Sequence, residues 1–251
     1  LGQRFREHGL KTRLLLGDVS SSASINFVEE ALDSEPLLDH VRAVAFHTWH
    51  GSPSGYEKWH ALAEKTGLPL FVTEAGWDPA AWQDGSYNSY TYFINELRTY
   101  LEVLKHAKPQ VVMGWQYTDN YGFLRFPEDE NADVPEKRFP RYWMIRQLQR
   151  LTPRPGLGLP TRSDTDAVTF AAFRSRTRDN GTRYALHIAN IGSARKAVIT
   201  NLPGRISGWE VFRTSWQEGM EKTGRVVQER KTVSLQLPAN TLITLVNPRD
   251  R

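Results

Sequence analysis

Apolar residues along this chain follow two rhythms, and the change from one to the other falls near residue 155. Before it, short apolar runs alternate with segments of helical period. Residues 12–16 (TRLLL), 41–46 (VRAVAF), 68–74 (LPLFVTE) and 111–115 (VVMGW) read as strands. Within the run at 68–74, Leu68, Leu70, Phe71 and Val72 leave no polar face, which predicts a parallel strand covered on both sides. A helix is expected from about Ile25, interrupted near Glu35-Pro36. The box Ser54-Gly55-Tyr56-Glu57 predicts the start of a second helix, with Gly67 as its stop. Tyr90, Phe93, Ile94, Leu97, Leu101 and Leu104 recur at spacings of three and four, the stripe of a third. A fourth helix runs from Pro140 through Leu151, after an acidic loop at 128–136. Repeated strand–helix units of roughly thirty residues are the rhythm of a parallel α/β structure.

After Thr152-Pro153-Arg154-Pro155-Gly156 strands alone follow: Val168–Phe173, Tyr184–Ala189, Lys196–Thr200, Trp209–Phe212, Thr232–Leu237 and Thr241–Val246. Turns such as Asp179-Asn180-Gly181 and Pro203-Gly204 separate them. That pattern predicts an antiparallel β-sandwich. The expected domains are residues 1–155, strand–helix, and residues 156–251, sandwich.

Composition narrows the chemistry. The 251 residues contain no Cys, which excludes a disulfide framework and a thiolate metal site. No stretch approaches the length of an apolar membrane span, and the first residues are not a signal peptide. The chain opens inside a helix-like segment, Leu1 to Leu10, with no initiator Met, and reads as a piece whose beginning lies elsewhere. Localisation, secreted or cytoplasmic, therefore stays open. Charge is uneven: 17 Lys/Arg against 20 Asp/Glu in residues 1–155, and 15 against 8 in residues 156–251. A nucleic-acid partner would need basic residues interleaved with exposed aromatics. Arg174, Arg176 and Arg178 instead alternate like the solvated face of a strand, so no nucleic acid is expected.

The candidate chemistry lies where strands end. Glu74 closes the strand at 68–74 and is followed by Gly76, which turns the backbone, and by Trp77. In a barrel of alternating strands and helices that rim carries the catalytic groups. A carboxylate beside aromatic rings is what a retaining glycosidase uses as nucleophile; the alternative is a solvated rim carboxylate. Asp18 ends the first strand, either as a helix cap or as a site residue. His47 and His50 follow the second, as sugar ligands or structural groups. Their spacing lacks a carboxylate placed for zinc, so no metal and no cofactor is expected. Trp49, Trp77 and Trp115 are candidate stacking platforms, with packing as the alternative for Trp49 and Trp77, whereas Trp59 and Trp143 on helices read as core.

In this order the landmarks resemble glycoside hydrolase family 30. The matching residues are Gly17-Asp18, His47-Thr48-Trp49, Thr73-Glu74-Ala75-Gly76, Trp115, Pro140-Arg141-Tyr142-Trp143, and the closing run from Leu237 to Leu245. The resemblance implies a fold of α/β plus all-β class: half of a (β/α)8 TIM barrel, equivalent to strands five to eight, followed by the β-sandwich. It implies retaining hydrolysis of β-glycosidic bonds, with Glu74 as nucleophile and a carbohydrate as the partner. The family's Asn-Glu acid/base pair has no counterpart at a strand end here, because Asn95-Glu96 falls inside the helical stripe. Asp119, four residues past Trp115, is the in-chain substitute. A catalytically impaired carbohydrate-binding protein is the alternative. Half a barrel has two unpaired edges. Closure is expected either as a homodimer about a two-fold axis or with a separate N-terminal half.

Overall fold

The computed structural model describes residues 1–33, 39–118, 120–127, 137–177, 181–204 and 206–248. The expectations for Glu35-Pro36, Asp119, the loop at 128–136, Arg178 and Asp179-Asn180 lie outside the described residues. Contacts group the chain into two compact units, Leu1–Ala80 with His106–Trp115, and Ala81–Lys105 with Gln116–Arg251. They do not thin out at 155/156, because helices from before that point pack with strands from after it.

The first unit contains α1 (Gly2–Glu7), β1 (Leu14–Val19), α2 (Ile25–Leu32), β2 (Val41–His47), α3 (Pro53–Thr66), β3 (Leu70–Ala75) and β4 (Val111–Gly114). The strands form one parallel sheet in the order β1-β2-β3-β4. One face is packed by helices. Phe46 on β2 stacks on Tyr56 and Trp59 of α3, with ring centroids 5.7 and 5.1 Å apart. Trp59 is fully buried and donates its indole N–H to the Ser22 carbonyl at 3.0 Å. The outer strands are less covered: Leu15 on β1 is 39% exposed and Met113 on β4 47%.

Two local readings need correction. The α3 cap is Ser52, whose hydroxyl accepts from the Gly55 N–H at 3.2 Å; Pro53 occupies the first turn and Ser54 already lies inside the helix. A proline suits that position because its missing N–H would have had no partner there. β1 also runs on to Val19, so Gly17 and Asp18 lie within the strand instead of after it. Its register with β2 shifts between Gly17 and Val19.

The second unit holds α4 (Tyr90–Glu102), the short antiparallel pair β5 (Leu124–Arg125) and β6 (Lys137–Arg138), and α5 (Pro140–Leu151). It continues with β7 (Leu157–Leu159), β8 (Val168–Arg176), β9 (Thr182–Asn190), β10 (Arg195–Ile199), β11 (Gly208–Ser215), β12 (Glu221–Val227), β13 (Val233–Leu237) and β14 (Thr241–Val246). A six-stranded antiparallel sheet, ordered β12-β11-β14-β9-β8-β7, shares one core with the antiparallel pair β10-β13. Leu186, Ile188, Trp209 and Leu245 from the large sheet meet Val233, Leu235 and Leu237 from the small one. This is the expected sandwich, with β7 and β12 in addition. Arg174 and Arg176 are exposed, as a solvated strand face requires.

The helices of this unit carry buried polar pins that the apolar stripe did not announce. Tyr90 is 43% exposed, and the buried face of α4 instead includes Glu96 with Phe93, Leu97 and Leu101. Arg141 on α5 grips Glu96 with two hydrogen bonds of 2.6 and 2.7 Å and donates a third, at 2.8 Å, to the Tyr121 carbonyl. Its guanidinium also lies over the rings of Tyr92 and Phe123. Burial raises the Glu96 carboxyl above its usual range, against the pull of Arg141. Further along α5, Gln147 joins Thr214 and Thr244, and Thr244 meets the buried His187. No helix among the described residues is long and apolar enough to cross a membrane.

Candidate active site

The C-terminal ends of β1, β2 and β3 bring three of the sequence-derived residues into one chain of polar contacts. The backbone makes this possible at Gly17-Asp18. Gly17 has φ +98, and a Cβ there would come within 2.4 Å of the Ala45 carbonyl of the next strand. Asp18 also has a positive φ, 56, unusual for a side-chain-bearing residue. What offsets that strain is on the side chain: Asp18 Oδ1 accepts from Thr73 Oγ1 at 2.5 Å and lies 3.1 Å from His47 Nε2. The Thr73 hydrogen bond, helped by His47 and opposed by partial burial, holds the Asp18 carboxyl below the usual range.

His47 stands between two carboxylates. Its Nε2 faces Asp18, and its Nδ1 lies 3.3 Å from Glu74 Oε2. A neutral imidazole donates through only one nitrogen. The Nε2–Asp18 contact is the hydrogen bond, and the Nδ1–Glu74 approach is a longer polar contact. The same Glu74 Oε2 accepts from the Trp49 indole N–H at 3.0 Å. Glu74 Oε1 has no hydrogen-bond partner among the described residues, and the side chain is 25% exposed. Oε2 is held by Trp49 with His47 close by, while Oε1 has no hydrogen-bond partner among the described residues, an arrangement that can aim a carboxylate at a bound molecule.

Thr48, quoted in the sequence but not singled out, fixes the backbone beside Glu74. Its N–H donates to the Glu74 carbonyl at 3.0 Å. Its buried hydroxyl donates to the Gly76 carbonyl at 2.6 Å and accepts the Gly76 N–H at 2.9 Å. Only the neighbouring strand-end pattern His47-Thr48-Trp49 could have pointed to it.

The tryptophans divide. Trp49 is buried, 6% exposed, so it acts as a hydrogen-bond donor to Glu74 and offers no open stacking face. Trp77 is half-buried on the turn after β3. Trp115 is 36% exposed just past β4, and its backbone N–H extends the sheet by donating to the Ala75 carbonyl at 2.9 Å. Trp59 is core, as expected. His50 is exposed, with φ 53. Among the described residues no group of three or more His, Asp or Glu could hold a metal ion. Asp119 lies outside the described residues.

No protein-family model and no curated protein sequence matches the chain. Solved structures do match in fold. A glycoside hydrolase family 30 endoxylanase from Clostridium papyrosolvens C71 superposes with a TM-score of 0.76 at 16% identity, over 96% of this chain and 57% of that one. A family 30 subfamily 8 xylanase from Clostridium acetobutylicum gives 0.77 at 15% identity, over 98% and 58%. The catalytic domain of a family 30 xylanase from Talaromyces cellulolyticus gives 0.68 at 13% identity, over 98% and 54%. The fold is thus the mixed α/β and antiparallel-β arrangement of these enzymes, and the chain spans little more than half their length.

Proposed function

We propose that this chain carries the nucleophile side of a retaining β-glycosidase, with Glu74 as the nucleophile. The observation that carries the reading is the geometry of Glu74: a strand-end carboxylate with Oε2 hydrogen-bonded to Trp49 and close to His47, and Oε1 without a hydrogen-bond partner among the described residues. Glu74 Oε1 attacks the anomeric carbon and the glycosidic bond breaks. A second carboxyl gives its proton to the leaving oxygen, and water later releases the sugar from Glu74. Asp18 and His47 hold Glu74 in place. Asp18 is a poor proton donor, because its lowered pKa keeps it ionised and an imidazole ring separates it from Glu74.

The acid/base is accordingly assigned to a group outside the described residues: Asp119, a second copy of the chain, or a separate N-terminal half. In this reading β1 to β4 correspond to strands five to eight of an eight-stranded barrel. Support comes from two features: outer strands with apolar side chains open to solvent, and a chain that spans only 54–58% of the matching enzymes. Residues 1–155 and 156–251 remain the proposed functional division. Trp77 and Trp115 are the proposed sugar-stacking rings.

The absence of a second carboxylate in contact with His47 or Glu74 beyond Asp18, among the described residues, favours a second reading as a carbohydrate-binding protein that no longer turns over. Activated aryl β-glycosides separate the two, since a good leaving group needs little protonation. Slow release that Glu74→Gln abolishes, together with labelling of Glu74 by a mechanism-based glycosyl inactivator, is the expected result. Sugar binding without release, in the chain alone and in any assembly it forms, would leave the binding reading standing.

A further inference from the structure

The sandwich contains a cavity of about 380 Å³ at the end where β9 and β11 begin and β14 finishes, far along the chain from Glu74. Its polar wall is unbalanced. Two of the carbonyl acceptors around it are already used: that of Pro203 takes a hydrogen bond from Gln228 Nε2 at 2.7 Å, and that of Ser207 takes one from the Gln228 N–H at 3.1 Å. Asn247 is consumed at both ends, its Oδ1 accepting from the Tyr184 N–H at 2.6 Å and its Nδ2 donating to the Thr182 carbonyl at 2.9 Å.

What remains is rich in donors. Arg225, an exposed residue of β12, is the one ionisable side chain besides Tyr184 among the described residues of the lining, and no carboxylate pairs with it among them. The fold makes room for it: a Cβ on Gly208 would lie 3.1 Å from Arg225 Nε and 3.5 Å from Nη2. The Ser207 and Tyr184 hydroxyls make no hydrogen bond among the described residues either. Lys231, whose Cε lies 3.8 Å from a Cβ built on Gly204 in the wall, adds a further cation that has no ion pair among the described residues. A guanidinium offers a planar fork of donors that matches a carboxylate. Free hydroxyls suit a polyhydroxylated ligand, and the volume admits a single sugar ring.

We propose that this cavity is a binding site for a sugar acid, its carboxylate on Arg225 and its hydroxyls on Ser207 and Tyr184. The site is independent of Glu74 and survives the failure of the glycosidase reading. A built-in reporter makes the test direct. The Trp209 indole N–H donates to Gln228 Oε1 at 2.9 Å, and Gln228 in turn holds the Pro203 wall. The Trp49 indole N–H reports on Glu74 instead.

The experiment is a titration of the full chain, ¹⁵N-labelled at tryptophan, with sodium glucuronate, glucose, acetate and inorganic phosphate. Expected is a saturable shift of the Trp209 indole resonance with glucuronate. Affinity should be weaker for glucose and for acetate, and fall about tenfold or more in Arg225→Met, the loss of one charged hydrogen-bonding group. Unligated Arg225→Met should unfold at the parent's temperature. The proposal is overturned if glucose binds as tightly as glucuronate, if phosphate binds more tightly than glucuronate, or if Arg225→Met binds unchanged. It is equally overturned if only the Trp49 resonance moves or if Trp209 does not respond at all.

Discussion

Two strands of similar apolar content meet opposite fates in this chain. β1, Leu-Leu-Leu-Gly-Asp-Val, has no buried residue, while every residue of β14, Thr-Leu-Ile-Thr-Leu-Val, is buried. β14 lies between β9 and β11 in the middle of the six-stranded sheet and shares a core with β10 and β13. β1 is the outer strand of a four-stranded sheet, paired among the described strands only with β2. The sandwich thus finds its cover within the described chain, whereas the parallel sheet leaves Leu15 and Met113 open. Composition alone cannot distinguish these cases, because burial follows from what packs on a strand and not from the strand's own sequence. Chemistry follows the same division. The Asp18–His47–Glu74 chain belongs to the open sheet, where groups can reach a ligand, while the titratable groups of the second unit's core are enclosed.

The largest expected effect uses one substitution at two sites. Leu245→Ala removes a fully buried side chain from β14 and should cost about 2–5 kcal/mol. Leu15→Ala, at a side chain 39% exposed, should cost less than about 1 kcal/mol at low protein concentration. Urea unfolding of both variants reads the difference. A Leu15→Ala cost that approaches the Leu245→Ala cost as concentration rises would mean that another chain covers the sheet. Equal costs at every concentration would break the comparison.

A smaller effect comes from His187, enclosed between Thr244 and Thr152 hydroxyls at 2.9 and 3.0 Å. Burial lowers its pKa from 6.5 to about 3. The unfolded chain therefore takes up a proton near 6.5 that the folded one refuses. Stability is complete above that pH and is lost as pH falls from 6.5 toward 3, by up to about 1.4 kcal/mol per unit. Glu96 works in the opposite direction: with its folded pKa raised, it binds a proton more readily folded than unfolded. The His187 contribution is thus the difference between parent and His187→Gln, measured as urea midpoints at pH 7, 5.5 and 4.5. A parallel pH dependence in the two proteins would show that His187 is not held neutral.

How legible each feature was follows the range of the interaction behind it. β3 could be read because its apolar run and the Glu74 near its end are contiguous. α5 ran from Pro140 to Leu151 as expected, since a proline marks its first turn. β12 was missed: Glu-Lys-Thr-Gly-Arg-Val-Val is an edge strand, nearly all exposed, so it carries no alternation of apolar and polar residues. Glu96 was hidden for a different reason. A carboxylate in a helix reads as solvent-facing until its partner is known, and Arg141 lies 45 residues away. Trp49 shows the same limit within the site: its position at a strand end was readable, but the Glu74 oxygen that turns its ring inward belongs to another strand.

The smallest effect tests the site itself. Thr73→Val removes the hydroxyl that donates to Asp18 while keeping the shape of the side chain. That hydrogen bond is the largest cause of the lowered Asp18 pKa, so the Asp18 carboxyl should titrate higher in the variant, seen by ¹³C resonance of the side-chain carbonyl. The Asp18 side chain is 54% exposed, and solvent screens such contacts, so global stability near neutral pH should change by less than about 1 kcal/mol. The sign at acid pH is fixed. A lowered folded pKa contributes stability above the unfolded value of 3.8, lost as pH falls through the folded one, and Thr73→Val should shrink that contribution. His47 then has a weaker anchor on its Nε2 side, so the Trp49 indole resonance beside Glu74 should broaden or shift, while that of Trp209 stays fixed. An unchanged Asp18 titration would show that Thr73 does not set its charge. A Trp209 response matching that of Trp49 would mean the substitution disturbs the whole chain instead of the strand-end relay.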